Sequence, residues 1–460
     1  MAQTRLAGLS VKQKLGFGIF DLGGNMFFTL MGFWCLKYLT DIVGLAAALA
    51  GMAVMVGKLW DAVTDPVMGY ISDRTHSRWG RRRPYLLFGA LPMMLTMWLF
   101  FTSPEIENPL ALTLWAILTL MVLNTASTVI NIPYSSLTPE LTEDYHERTS
   151  LNGYRFGCAV FGTIAGAAAV QPLVTFFANP AAADPLLDKR GFSMMGLLLG
   201  AVMMGVTLLT FLGTREKKHT PEDFPTEGFF STYKAVFTNR PYVLLLLTYA
   251  LHLMGITFLQ SILVYYTEYI YLRPDLTTPA MILLLVTAMV FIPLSVLVSK
   301  RIGKKLTYQI CFIIIASAGM IIFFLGHILG PNFFLALMVY AGIGVGFSYV
   351  SPFAMVPDTI DFDAVKTGER KEGAYYGMWT FTSKGGQALA VFVSGLILSQ
   401  GGYIPGAVQS AGALLAIRLI IGPLPALIFL TALFLIRFYP LDETTYKKIM
   451  GQQRKARLQD

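Results

Sequence analysis

The sequence predicts an all-α membrane protein in which twelve transmembrane helices form two pseudo-symmetric six-helix halves. Three observations carry that prediction. The 460 residues are 55% hydrophobic and only 13% charged, against about 25% charged in soluble domains, and mean hydropathy is +0.59. The apolar residues fall into about twelve runs, each near the roughly 20 residues that cross a hydrocarbon core as a helix. These runs divide six and six about a polar interruption, Gly213 to Arg240, and the motifs on its two sides echo each other.

In chain order the spans are expected at 13 to 40, 46 to 72, 85 to 103, 109 to 136, 150 to 178, 192 to 213, 241 to 269, 277 to 299, 306 to 329, 332 to 356, 373 to 399 and 412 to 438. The first carries Asp21 and Asn25 and no small-residue cleavage pattern follows it, so it is expected to stay in the mature chain. The second contains Lys58 to Pro66. The fourth ends in Ile132-Pro133-Tyr134 with Pro139 beyond, and the tenth in Ser351-Pro352 with Pro357, where proline can kink a helix end. Gly157, Gly162 and Gly166 in span five, and Gly342, Gly344 and Gly346 in span ten, suit close helix approach. The expected divisions are an N-terminal half (1–213), a cytoplasmic central loop (214–240), a C-terminal half (241–440) and a cytoplasmic tail (441–460).

Charge sets the topology. The net +8 is concentrated in connections after even-numbered spans: Arg74, Arg78 and Arg81 to Arg83; Arg215, Lys217, Lys218, Lys234 and Arg240; Lys300, Arg301, Lys304 and Lys305. That distribution is a topology signal rather than a nucleic-acid surface, and it places both termini in the cytoplasm. The expected location is the plasma membrane, the inner membrane in a Gram-negative source, with the bilayer as partner and a functional monomer. Cys35, Cys158 and Cys311 are odd in number and far apart, and the five histidines are scattered; neither set has metal-site spacing.

The candidate chemistry starts with Lys58, Asp61 and Asp65. Spacings of three and four put all three side chains on one helical face, at a depth where each charge costs roughly 2.5 to 3.5 kcal/mol to insert. An ion pair that merely locks two helices is the plainer alternative, but two acids around one base leave a carboxylate over. The group therefore reads as an ion or substrate site. Asp21 and Asn25, one turn apart, present groups suited to sugar hydroxyls. Lys384 lies about eleven residues into span eleven, roughly 16 Å deep, too deep to snorkel easily. Tyr376 and Trp379 on the same span are candidates to stack on a substrate ring. Lys37 and Arg418 are expected at the interface, and Tyr265, Tyr266, Tyr269 and Tyr271 in an outer aromatic belt. Asp73 sits at the C-terminal end of span two, unfavourable for an acid unless cations meet it. It is expected to form a gate with Arg74, Arg78 and Arg81 to Arg83, while Asp358, Asp361 and Asp363 meet bases from the other half.

Asp61 to Pro66, Gly69-Tyr-Ile-Ser-Asp73, Arg78-Trp79-Gly80-Arg81, Asn131-Ile132-Pro133-Tyr134, Pro357 to Phe362 and Lys384-Gly385-Gly386 occur in this order along most of the chain. In these stretches the sequence resembles the glycoside-pentoside-hexuronide:cation symporters of the major facilitator superfamily. The resemblance implies a twelve-helix major facilitator fold, alternating access and sugar uptake driven by Na+ or a proton. It puts Asp61 and Asp65 on the family's cation-binding carboxylates, Thr64 where a member has an asparagine ligand, and Thr128 on a threonine of the same region. Asn131 stands in place of a carboxylate that serves both cation and sugar, so this site has one negative charge fewer. Gly23 aligns with a sugar-binding aspartate, with Asp21 and Asn25 two residues to either side, and Arg155 and Lys384 match cavity bases. No cofactor beyond the coupling ion is implied. The alternatives are an uncoupled facilitator or carrier of an amphipathic, lipid-like solute, and a membrane-embedded enzyme. The last lacks support: no His-Glu-x-x-His, paired cysteines or Ser/His set is present in the sequence.

Overall fold

The computed structural model describes residues 9–141, 145–214, 236–367, 372–441 and 445–446. Most of the expected central loop, with Arg215, Lys217, Lys218 and Lys234, and the tail beyond Tyr446 lie outside the described residues. The chain divides into two compact units, Met1–Glu222 and Asp223–Asp460.

The first unit holds α1 (Val11–Ile42), α2 (Ala47–Arg74), α3 (Arg83–Phe100), α4 (Pro109–Leu141), α5 and α6 (Lys189–Gly213). Helix α5 runs Tyr145–Ala168 and continues, after a 50° bend, as Val170–Phe177. The second unit holds α7 (Arg240–Ile270), α8 (Pro274–Ile302), α9 (Lys304–Leu329), α10 (Pro331–Val365), α11 (Glu372–Gln400) and α12 (Ala411–Arg437). Among the described residues ten helices are long and apolar enough to cross a membrane, and the bent α5 makes an eleventh. Helix α3, 18 residues with Arg83 at its start and Pro92 inside, completes the expected order; at 1.5 Å per residue it is about 27 Å long.

The two units repeat one packing scheme. In the first, α1 packs on α5, α2 on α4 and α3 on α6; in the second, α7 packs on α11, α8 on α10 and α9 on α12. Glycines make several of these contacts close. A Cβ on Gly162 or Gly166 of α5 would lie 2.0 or 2.2 Å from the carbonyl oxygens of Leu22 and Met26 on α1. On α10, Gly342 and Gly346 stand close on Leu284 and Ala288 of α8, with 2.6 and 2.5 Å to their carbonyls. Gly386 brings α11 within 2.7 Å of the Ala250 carbonyl on α7 by the same measure. Pairs four residues apart on one helix thus seat on pairs four apart on the next, and helix backbones meet without a side chain between them. Phe88, Leu110, Leu118, Phe161, Leu297 and Phe434 are instead more than half exposed, as lipid-facing apolar side chains are.

Some interfacial expectations change. Lys37 is buried and pairs with Asp41 across the π-helical turn Tyr38–Ile42, because that turn offers the ammonium a carboxylate inside the fold. Tyr265 and Tyr266 are fully buried core residues rather than belt. Arg418 Nη2 donates to the Phe323 carbonyl at 2.9 Å.

Candidate functional site

Helix α2 begins after Gly44, whose φ of +85° turns the chain out of α1, and ends at Arg74, where Thr75 is extended. Pro66 lies inside it and has no N–H, so the Ala62 carbonyl lacks its usual partner one turn on. The helix therefore carries a loosened turn beside Asp61 and Asp65.

Thr128 of α4 is the centre of the site. It is buried, and its Oγ1 lies 2.8 Å from Asp61 Oδ1 and 3.0 Å from Asp65 Oδ1. Thr64 Oγ1 is 3.5 Å from the same hydroxyl and donates to the Asp61 carbonyl at 3.2 Å. A hydroxyl has one proton to give, so Thr128 serves one carboxylate at a time while holding both within reach. Asn131, one turn further along α4, donates from Nδ2 to Ser127 O (3.0 Å) and Ser127 Oγ (2.9 Å). Its Oδ1 is 3.5 Å from where a Cβ on Gly24 would stand, so the amide borders α1. Asn124 donates to the Gly57 carbonyl at 2.9 Å, and Trp60 Nε1 to Thr125 Oγ1 at 2.9 Å. Trp60 is thereby held on α4 beside the carboxylates. Lys58 is half-buried on α2, one turn before Asp61. Among the described residues no group of three or more His, Cys, Asp or Glu is gathered as a metal site. The oxygen set here is two carboxylates with hydroxyl and amide neighbours, a hard set suited to a small cation or a proton.

A second polar group lies in the same unit. Arg155 of α5 clamps Asp21 of α1 through Nε to Oδ2 (2.7 Å) and Nη2 to Oδ1 (3.3 Å), and Tyr134 OH donates to Asp21 Oδ2 at 2.5 Å. The guanidinium lies over the Tyr134 ring at 4.9 Å. Asn25 uses its amide on the Asp21 backbone carbonyl at 2.8 Å, not on the carboxylate. Asp21, Arg155 and Tyr134 are thus one cluster, and Asn25 stands beside it.

The second unit places its candidates differently. Lys384 is half-buried on α11 and Tyr376 is exposed. Trp379 is buried and stacks on Tyr249 of α7 with ring centroids 4.1 Å apart and planes 13° apart. One face of its ring thus takes part in the packing between α7 and α11.

The acids named as gate residues form pairs. Asp73 meets Arg82, at 2.9 Å, because the Ser77–Gly80 turn, with Gly80 at φ +104°, folds the start of α3 back onto the end of α2. Arg74 lies over the Tyr70 ring at 3.6 Å and Arg78 over the Trp79 ring at 4.2 Å. Asp358 meets Lys304 at 2.6 Å, and Asp361 accepts from Tyr446 OH at 2.8 Å. Both partners belong to the same unit as the acids. Asp363 is buried.

Tyr134 and Ser127 are the contributors that motif reading passed over as site residues. The signal for Ser127 was present: Asn124, Thr128 and Asn131 recur at helical spacing, with Ser127 in the same stripe.

A multi-pass helical protein with paired carboxylates inside a span, and with two halves packed by one repeated scheme, is a membrane transporter. Comparison with known proteins gives its family. Residues 16–443 match the family described as MFS/sugar transport protein, and the chain belongs to it. It is 31% identical to the uncharacterized symporter YjmB of Bacillus subtilis over 96% of this chain and 95% of that one. It is 28% identical to the isoprimeverose transporter of Lactiplantibacillus pentosus over 96% and 91%. Among solved structures, the POT family transporter PepTSo matches with a TM-score of 0.66 at 12% identity, covering 95% of this chain and 99% of that one, a likeness of fold. These are transporters, and so is this chain, not an enzyme.

Proposed function

We propose that this transporter imports a sugar or glycoside of the pentoside or hexuronide class together with Na+ or a proton, by alternating access. The coupling cation joins Asp61 and Asp65 through the site centred on Thr128. The observation that carries this reading is the single buried hydroxyl within 2.8 and 3.0 Å of both carboxylates. Two carboxylates facing one hydroxyl form an oxygen set that a small cation can join. Differential binding of that cation is what can bias the conformational equilibrium. Asn131 in place of a third carboxylate keeps the site at two negative charges. The sugar class is supported by the family description and by the name of the isoprimeverose transporter. Candidate substrate contacts are Asn25, Asn131 and Lys384, with Asp21 and Arg155 acting as a pair. The bias of basic residues to connections after even-numbered spans supports a plasma-membrane protein with both termini cytoplasmic.

The test is counterflow in proteoliposomes with a panel of glycosides, pentosides and uronides, repeated under an imposed sodium or pH gradient. The expected result is exchange of at least one panel member, with accumulation driven by one of the two gradients. Exchange that ignores both gradients would remove cation coupling and leave a facilitator.

A further inference from the structure

A cleft of about 1290 Å³ opens where the end of α8, the start of α9 and the end of α12 meet, well apart in sequence from the groups described above except Asp358. Its rim is basic. Gly303, at φ +89°, turns α8 directly into α9, which brings Lys300, Arg301, Lys304 and Lys305 to one corner, and Arg437 joins them from α12. Five bases against Asp358 give the described lining a net charge of +4. Lys304 is engaged with Asp358 at 2.6 Å. Lys305 donates to the Arg437 and Tyr439 carbonyls at 2.8 Å each, which ties α9 to the end of α12. Lys300, Arg301 and Arg437 are exposed and make no ion pair among the described residues. The wall below the rim is apolar and open: Leu306, Ile313, Leu430 and Phe434 are each half exposed or more. The chain's own last twenty residues do not supply the missing anion in net terms. They carry Lys447, Lys448, Arg454, Lys455 and Arg457 against Asp442, Glu443 and Asp460.

We infer that this cleft is a binding site for one anionic phospholipid, its phosphate on Lys300, Arg301 and Arg437 and an acyl chain along Leu306, Ile313, Leu430 and Phe434. A basic rim over an exposed apolar wall at a helix end matches that amphipathic shape and charge. Each basic residue near an anionic headgroup strengthens binding about fivefold. The occupant would tie α8, α9 and α12 together at the corner that also holds the Lys304–Asp358 pair.

The test uses the full-length chain in detergent, titrated with phosphatidylglycerol, phosphatidylcholine or sodium phosphate, with bound lipid read by native mass spectrometry and Tm by thermal unfolding. The expected result is retention of phosphatidylglycerol with a raised Tm, and neither effect from phosphatidylcholine or free phosphate. Removing the rim with Lys300→Gln, Arg301→Gln and Arg437→Gln together should weaken phosphatidylglycerol binding on the order of a hundredfold. The same number of changes elsewhere, Lys189→Gln, Arg190→Gln and Arg273→Gln, should leave it unchanged. Lys300→Gln alone, with about a fivefold loss, serves if the triple variant does not fold. Equal losses in rim and control variants, or none in either, would overturn the site. Free phosphate matching the lipid would replace it with a soluble-anion site. No preference for phosphatidylglycerol, with one appearing in Asp442→Asn, Glu443→Gln, would mean the chain's own acids fill the cleft and would also overturn it.

Discussion

Helices α2 and α4 pack on each other in the first unit as α8 and α10 do in the second, yet different groups sit along the two contacts. Between α2 and α4 stand Asp61, Asp65 and Thr128, with Asn124 on the Gly57 carbonyl. Between α8 and α10 stand Gly342 and Gly346, pressed on the carbonyls of Leu284 and Ala288, and from Thr277 to Ser299 helix α8 carries no charged residue. The shared scheme is the fold, and backbone fit is enough to make it. Charge appears where one half departs from the other, and an ionisable group at that depth is retained for what it binds.

The largest effect should come from removing the departure. Asp61→Asn and Asp65→Asn should each abolish accumulation against a gradient while exchange of substrate across the membrane persists, whereas Thr287→Val at the corresponding contact of α8 should leave accumulation intact. Gradient-driven uptake and counterflow in proteoliposomes separate the two outcomes. Next comes the hydroxyl: Thr128→Val removes a hydrogen bond to a charged group, about 1.5 to 3 kcal/mol, and should weaken apparent affinity for the coupling cation by roughly one to two orders of magnitude. Thr128→Ser should restore most of it. Overpacking the other contact should do the opposite: Gly346→Val destabilises the chain by about 1 to 3 kcal/mol, read as a lower Tm, with the cation dependence of the remaining transport unchanged. The smallest effect is expected at the helix ends. Asp73→Asn, which breaks a partly exposed pair with Arg82, should cost about 1 kcal/mol or less and shift the balance between inward-open and outward-open states in distance measurements.

The spans, their six-and-six division, most of the close-packing glycines and the two half-buried acids were legible in the sequence because each depends on local pattern: length, charge and spacing; Gly157, expected among those glycines, faces open space instead. What was not legible depends on which distant residue arrives. Asp21 looked like a partner for Asn25 four residues on, but Tyr134 and Arg155, 113 and 134 residues away, reach it instead. Five arginines follow Asp73, and only the turn at Gly80 decides that Arg82 is its partner. That Tyr249, 130 residues earlier, stacks on Trp379 was likewise not legible. Asp358 found Lys304 in its own half, since the α8–α9 corner brings a base close.

The central claim is that Asp61, Asp65 and Thr128 hold the cation that drives uptake. Its most direct test is simultaneous measurement of substrate and cation flux, by isotopic sodium and by an internal pH dye, in proteoliposomes held at zero membrane potential. The wild type should bring in one of the two cations with its substrate, and Asp65→Asn should exchange substrate with no accompanying cation flux. The same cation flux per substrate in Asp65→Asn as in the wild type would contradict the assignment.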